Sequence, residues 1–138
     1  MTVLVAYDGS EPAQKAVERA FSEHADGEII LLRVVEAADG YTEAGIELLR
    51  EYVTDRKANA STEMIDEVTD LAGSGDVEFR TEITAGDPAR EVVRFAEEHD
   101  VDQLIVGNHG RSGVSRVLLG SVAEQIVRRS PVPVTVVR

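Results

Sequence analysis

One stretch of this 138-residue chain has the makings of an anion site. Gly107-Asn108-His109-Gly110-Arg111-Ser112-Gly113 follows the apolar run Leu104-Ile105-Val106. Three glycines in seven residues let backbone N–H groups approach an anion without interference from a Cβ. Arg111 adds a positive charge and Ser112 a hydroxyl. Further along comes Gly120-Ser121-Val122-Ala123-Glu124. Ser121 to Glu124 has the S-x-x-E spacing of a capping box, which predicts a helix N-terminus at that point. A glycine loop facing a helix N-terminus is the physical recipe for a phosphate site. The plainer alternative is a glycine turn followed by an ordinary capped helix, because short glycine patterns are weak signals.

Other residues with chemical potential are fewer. Asp8 ends the first apolar run. It either holds a ribose hydroxyl or an adenine amine, or caps the turn before Ser10. His109 lies inside the glycine loop, where it either donates to a phosphate or sits in solvent. His24 and His99 fall near predicted helix C-termini and read as structural. The three histidines make no metal-ligand spacing. Neither Lys15 nor Lys57 follows a G-x-x-x-x-G-K-[ST] loop, and no G-x-G-x-x-G follows the first strand. There is no cysteine, which excludes disulfides, thiolate metal sites and a cysteine nucleophile. Carboxylate runs such as Glu97-Glu98 and Asp100 read as solvated faces.

The composition narrows the classes. Hydrophobic residues make up 43% of the chain, enough for a core. Asp plus Glu total 26 against 14 for Lys plus Arg, a formal net charge of -12. Such a surface repels phosphate backbones and argues against nucleic-acid binding. Only two of the basic residues are lysines. Lysine depletion with excess carboxylate resembles salt-adapted proteins, in which high salt screens the self-repulsion. The alternative is a mildly acidic cytosolic protein. Uncharged apolar stretches such as Ile29 to Leu32 are far short of a membrane span. No basic segment precedes Val3-Leu4-Val5, so no secretory signal is expected. These features predict a cytoplasmic chain.

The elements that must position these residues follow from hydrophobic period. Val3 to Ala6, Ile29 to Val35 and Leu104 to Val106 read as strands buried on both faces. Ala13, Ala16, Val17, Ala20 and Phe21 form one helical stripe behind Ser10 as cap and Pro12 in the first turn. A long helix runs from Glu43 to about Leu71, with Ile46, Leu49, Val53, Met64, Val68 and Leu71 on one side. Gly73-Ser74-Gly75 stops it. Val77 to Thr84 alternates like an edge strand with one wet face. Asp87-Pro88 opens a third helix. Leu119, Val122, Ala123, Ile126 and Val127 give a fourth, and Val132 to Val137 a last strand. The β-α-β-α-β-α-β-α-β order predicts one α/β domain over residues 1–138, with a parallel sheet and helices on both faces. Ligands in such sheets sit beyond the strand C-termini where strand order reverses.

The chain resembles the universal stress protein family, and three segments carry the resemblance. Val3 to Ser10 looks like the family's opening strand and Asp-Gly-Ser turn. Gly107-x2-Gly110-x9-Gly120-Ser121 matches its ATP-binding signature in spacing. Val132 to Val137 looks like its closing strand. The resemblance implies an open five-stranded parallel sheet of order 3-2-1-4-5 and a homodimer, and the apolar edge Val132–Val137 is expected to build part of that dimer. It implies ATP between the first and fourth strands, with Mg²⁺ or Mn²⁺ held mainly by the phosphates. Asp8 and Val34 would meet the adenosine end and Ala6 would line the same pocket. Gly107, Gly110, Arg111, Ser112, Gly113, Gly120, Ser121 and Val122 would surround the phosphates. Some ATP-binding members carry Pro where this chain has Ala6. The function expected is a nucleotide-binding stress-response or signalling module. The alternatives are a slow ATP-hydrolysing or phosphoryl-transferring enzyme, and a dimeric member that binds no nucleotide. No general base or lysine is evident beside the expected γ-phosphate, which favours the module.

Overall fold

The computed structural model describes residues 1–36, 42–72, 77–108 and 120–138. In chain order the elements are β1 (Thr2–Ala6), α1 (Glu11–Glu23), β2 (Glu28–Glu36), α2 (Glu43–Ala72) and β3 (Phe79–Gly86). Then follow α3 (Pro88–Glu98), β4 (Gln103–Gly107), α4 (Ser121–Arg129) and β5 (Val134–Val137). The five strands form one sheet in the order β3-β2-β1-β4-β5. Every pairing is parallel. This is the order and orientation the resemblance implies.

The apolar runs are uninterrupted because the sheet is covered twice. Val3 and Val5 of β1, Ile29 and Leu31 of β2 and Ile105 of β4 join one core cluster. It is completed by the stripe of α1 and by Met64 and Val68 of α2. The alternate residues Leu4, Ile30, Leu32, Leu104 and Val106 join a second cluster with α3 and α4. Neighbouring residues of one strand thus serve opposite faces, as the period of two requires. A third cluster seats Val53 of α2 on Ile83 and Ala85 of β3, with Leu49 packed against it. Of the stripe expected on α2, Val53, Met64 and Val68 are buried, and Ile46 and Leu49 are half-buried. The side chain of Leu71 and the segment Gly73-Ser74-Gly75 lie outside the described residues.

Two strand boundaries differ from the sequence expectation. β3 starts at Phe79 and runs to Gly86, two residues past Thr84 at its end. Its register with β2 continues to Glu36↔Gly86, and burial of Ile83 and Ala85 under α2 holds that extension. β5 begins at Val134, two residues after Val132. Pro131 and Pro133 have no N–H to give a ladder, although the Pro133 carbonyl accepts from Leu104 N–H at 2.9 Å.

Polar ties hold α2 in place, among them Lys57 to Glu82 of β3 at 3.2 Å. Tyr7, only 1% exposed, donates its hydroxyl to Glu67 at 2.9 Å. Burial, reinforced by the Glu67 carboxylate, pushes its pKa up to about 12. Arg50 reaches Glu91 at 3.1 Å and the Ala85 carbonyl at 3.4 Å. Glu91 is buried beneath Gly86, whose φ of 145° suits glycine, and a Cβ there would lie 2.8 Å from the Glu91 carboxylate.

Candidate functional site

A parallel sheet with crossover helices gathers strand C-termini and helix N-termini along one edge. In this order the chain leaves β1 for β2 on one side, while β4 lies on the other. A cavity of about 260 Å³ opens at that point, near the lower end of the roughly 300–1,000 Å³ usual for ligand pockets. Ala6 and Asp8 line it from the end of β1, and Leu32, Val34 and Glu36 from β2. Val106 and Gly107 contribute from β4, and Gly120, Ser121, Val122, Ala123 and Ile126 from the start of α4. Pro88 and Val92 of α3 and Ala13 of α1 complete the walls.

Seven residues singled out in the sequence therefore share one cavity: Ala6, Asp8, Val34, Gly107, Gly120, Ser121 and Val122. His109, Gly110, Arg111, Ser112 and Gly113 lie outside the described residues. The other lining residues, Tyr7 and Ala13 among them, were not expected in the site, and three of these are instructive. Leu32 and Val106 are core strand residues whose position at the sheet edge emerges only with the register. Glu36, an exposed carboxylate, is one step beyond the apolar run of β2.

The turn after β1 is held from within. Asp8 Oδ1 accepts from Ser10 N–H at 3.0 Å and also from the Ser10 hydroxyl. Gly9 takes φ 83°, which the turn requires. Ser10 Oγ in turn accepts from Ala13 N–H at 3.3 Å and caps α1. Asp8 thus does brace the turn, while its carboxylate also belongs to the cavity wall.

Gly107 is required by packing. A Cβ built on it would lie 2.5 Å from the Pro12 carbonyl oxygen and 2.8 Å from Ala13 N. The first turn of α1 rests directly on this residue, so its small size seats a helix against the strand end. The sequence reading, in which the glycine admits an anion, did not contain this constraint.

The start of α4 corrects the capping-box reading. Gly120 occupies the cap position, Ser121 is already the first helical residue, and no side chain caps the end. Glu124 does not return to the cap but pairs with Arg128 at 2.8 Å. At this end Asn108 Oδ1 accepts from Gly120 N–H at 2.9 Å. The first N–H groups of a helix have no intrahelical partner. Those of Ser121, Val122 and Ala123 belong to residues that line the cavity.

The other helices of the sheet satisfy such donors internally. Ser10 accepts from Ala13 N–H on α1, Thr42 from Gly45 N–H at 3.1 Å on α2, and Asp87 from Arg90 N–H at 3.0 Å on α3. Among the described helices, α4 alone begins on a glycine cap. With its macrodipole aimed at the cavity, this end suits an anion. The opposite wall carries the carboxylates Asp8 and Glu36. The cavity is thus polarised, with donors at the α4 end and acceptors at the ends of β1 and β2. The described residues contain no group of three or more His, Asp or Glu able to hold a metal ion. None of their helices is long and apolar enough to cross a membrane.

Comparison with known proteins agrees with this architecture. The sequence model of the Universal stress protein family matches residues 1–138. A universal stress protein of Methanocaldococcus jannaschii is 32% identical over 145 residues, covering 99% of this chain and 81% of that protein. The solved structure of universal stress protein UspA from Lactobacillus plantarum superposes with a TM-score of 0.75 at 27% identity. The match covers 100% of this chain and 97% of that one. A universal stress protein solved in complex with cAMP gives a TM-score of 0.68 at 28% identity, covering 100% and 97%. The chain belongs to the universal stress protein family.

Proposed function

We propose that this protein is an ATP-binding stress-response or signalling module, cytoplasmic and acting as a homodimer through the edge strand β5. The observation that carries the proposal is the polarised cavity at the strand-order reversal. The glycine-capped α4 brings the Ser121, Val122 and Ala123 N–H groups to the end of the cavity where, in this reading, phosphates sit. The Ser121 hydroxyl, at the first helical position, lines the same wall. Asp8 and Glu36 on the far wall repel phosphate but suit hydroxyls and exocyclic amines, which fixes the polarity of the nucleotide. Ala6, Leu32, Val34 and Val106 supply apolar wall for the base. Gly110, Arg111, Ser112 and Gly113 join the phosphate end in this reading, by their place in the family signature. The cAMP complex of a relative supports an adenine nucleotide as the ligand class.

A divalent ion in this reading is held mainly by the phosphates. Its chemistry is neutralisation of phosphate charge, which matters for a chain of net charge -12. In this reading the protein acts by occupancy of the site, with at most weak ATP hydrolysis. Isothermal titration with MgATP tests the reading, alongside mass spectrometry of small molecules released from gently purified protein. Saturable heat below about 1 mM ligand is expected. No heat, and no displacement of a fluorescent ATP analogue at that concentration, would overturn it.

A further inference from the structure

We infer that Asn108 is a positioning residue, which sets the N-terminus of α4 for a phosphate-bearing ligand; this rests on the function proposed above. Asn108 directly follows β4, and three elements meet on it. Its N–H donates to the Val137 carbonyl of β5 at 2.8 Å. Its Oδ1 accepts from Gly120 N–H at 2.9 Å, across twelve positions of sequence. Gly120 O then accepts from Glu124 N–H at 2.9 Å, the first turn of α4. An unbroken path of backbone and side-chain bonds therefore runs from the edge strand through Asn108 into the helix.

The side chain does two things for the site. It consumes the N–H of the cap residue, so the donors left for a ligand begin at Ser121. It also ties the start of the helix to the end of β4, where the neighbouring Gly107 lines the same cavity. Glycine cannot cap with a side chain, so without Asn108 nothing described here holds the cap residue's own N–H. Hydrophobic packing on this helix comes from Ala123 and Ile126, which lie further along it. That packing sets the depth of the helix on the sheet, while the asparagine holds the cap residue that precedes it.

The experiment titrates MgATP into wild type, Asn108→Ala and Gln103→Ala, and follows exchange of the Gly120 amide by NMR. Gln103 is the control. Its Nε2 donates to Thr135 Oγ1 at 2.6 Å, another β4–β5 side-chain bond that does not reach α4. Asn108→Ala should weaken MgATP by roughly fivefold to tenfold, the worth of one well-placed hydrogen bond. Its Gly120 amide should exchange faster. Gln103→Ala should lower the melting temperature yet bind like wild type. Asn108→Asp keeps the acceptor, so it should restore Gly120 protection and, in 1 M KCl, bind within about twofold of wild type. If Asn108→Ala fails to fold, Asn108→Ser takes its place. Wild-type affinity in the alanine or serine variant, or equal weakening by Gln103→Ala, overturns the role of Asn108 while leaving the proposed function standing. Failure of wild type to bind MgATP overturns both.

Discussion

Replacing Gly107 by alanine separates packing from ligand access. The added methyl would lie 2.5 Å from the Pro12 oxygen and 2.8 Å from Ala13 N, both of them backbone atoms. A flexible side chain could turn away, but these atoms belong to a helical turn fixed by the Ser10 cap and Pro12. Either α1 lifts from the sheet or β4 sinks. Overpacking of this kind costs typically 1–3 kcal/mol, and a backbone neighbour places it near the top, about 3 kcal/mol. For a domain of this length each kcal/mol lowers Tm by about 3–4 °C, so the expected loss is roughly 10 °C. Thermal unfolding followed by circular dichroism in molar KCl measures it. Were the glycine present only to admit an anion, the variant would melt like wild type and lose binding alone. A loss below about 2 °C would refute the packing argument.

Four further outcomes are expected. Glu91→Ala leaves Arg50 without its buried partner; because Arg50 keeps Glu47 and reaches solvent, the loss should be about 2 kcal/mol, less than for a fully buried pair. An unchanged urea midpoint would exclude it. The raised pKa of Tyr7 means that the unfolded chain releases the phenolic proton near 10 and the folded chain near about 12. Stability should therefore fall as pH rises through that window, and Tyr7→Phe should flatten the fall; an identical slope in the variant counts against the assignment. Melting temperature should climb between low salt and 2 M KCl, since screening relieves the repulsion of a net charge of -12, and a flat or falling trend refutes the salt-adapted reading. Light scattering should report about twice 15.0 kDa, with a strictly monomeric mass in molar salt ruling out pairing through β5.

The fold was legible because its signals are periodic. Alternation between strand and helix periods yields the parallel sheet, and the Ser10 and Asp87 caps are read directly from their place before Pro12 and Pro88. The family spacing supplies the strand order, which periodicity alone does not. The candidate site was legible in residue identity and less so in role. Ser121 has the type and spacing of a cap, but Gly120 takes that position, its N–H bonded to a side chain twelve positions earlier. Gly107 reads as ligand access, but the approach of α1 is a contact across almost a hundred residues. Glu36 carries no motif, and only the position where β2 ends puts it in the cavity wall. In each case the missing term is tertiary, with a partner that is remote in sequence.

How an acidic chain could accept an anionic ligand follows from the range of the forces. The net charge of -12 is spread over the surface, and part of it is answered locally. Arg19 pairs with Glu23, Arg94 with Glu98 and Arg128 with Glu124, each one helical turn apart. The repulsion left over acts through solvent and fades over about 10 Å in 0.1 M salt, or about 3 Å in 1 M. The attraction at α4 acts at hydrogen-bond length, inside that screening distance. Its donors come from backbone, which no change of surface composition removes. Rising salt would therefore weaken what opposes the ligand more than what holds it. The same topology that aligns strand ends with helix starts protects the site from the composition of the rest of the chain. Side-chain caps close that end on α1, α2 and α3, while α4 begins on a glycine whose N–H is bonded to Asn108, and its first residues line the cavity.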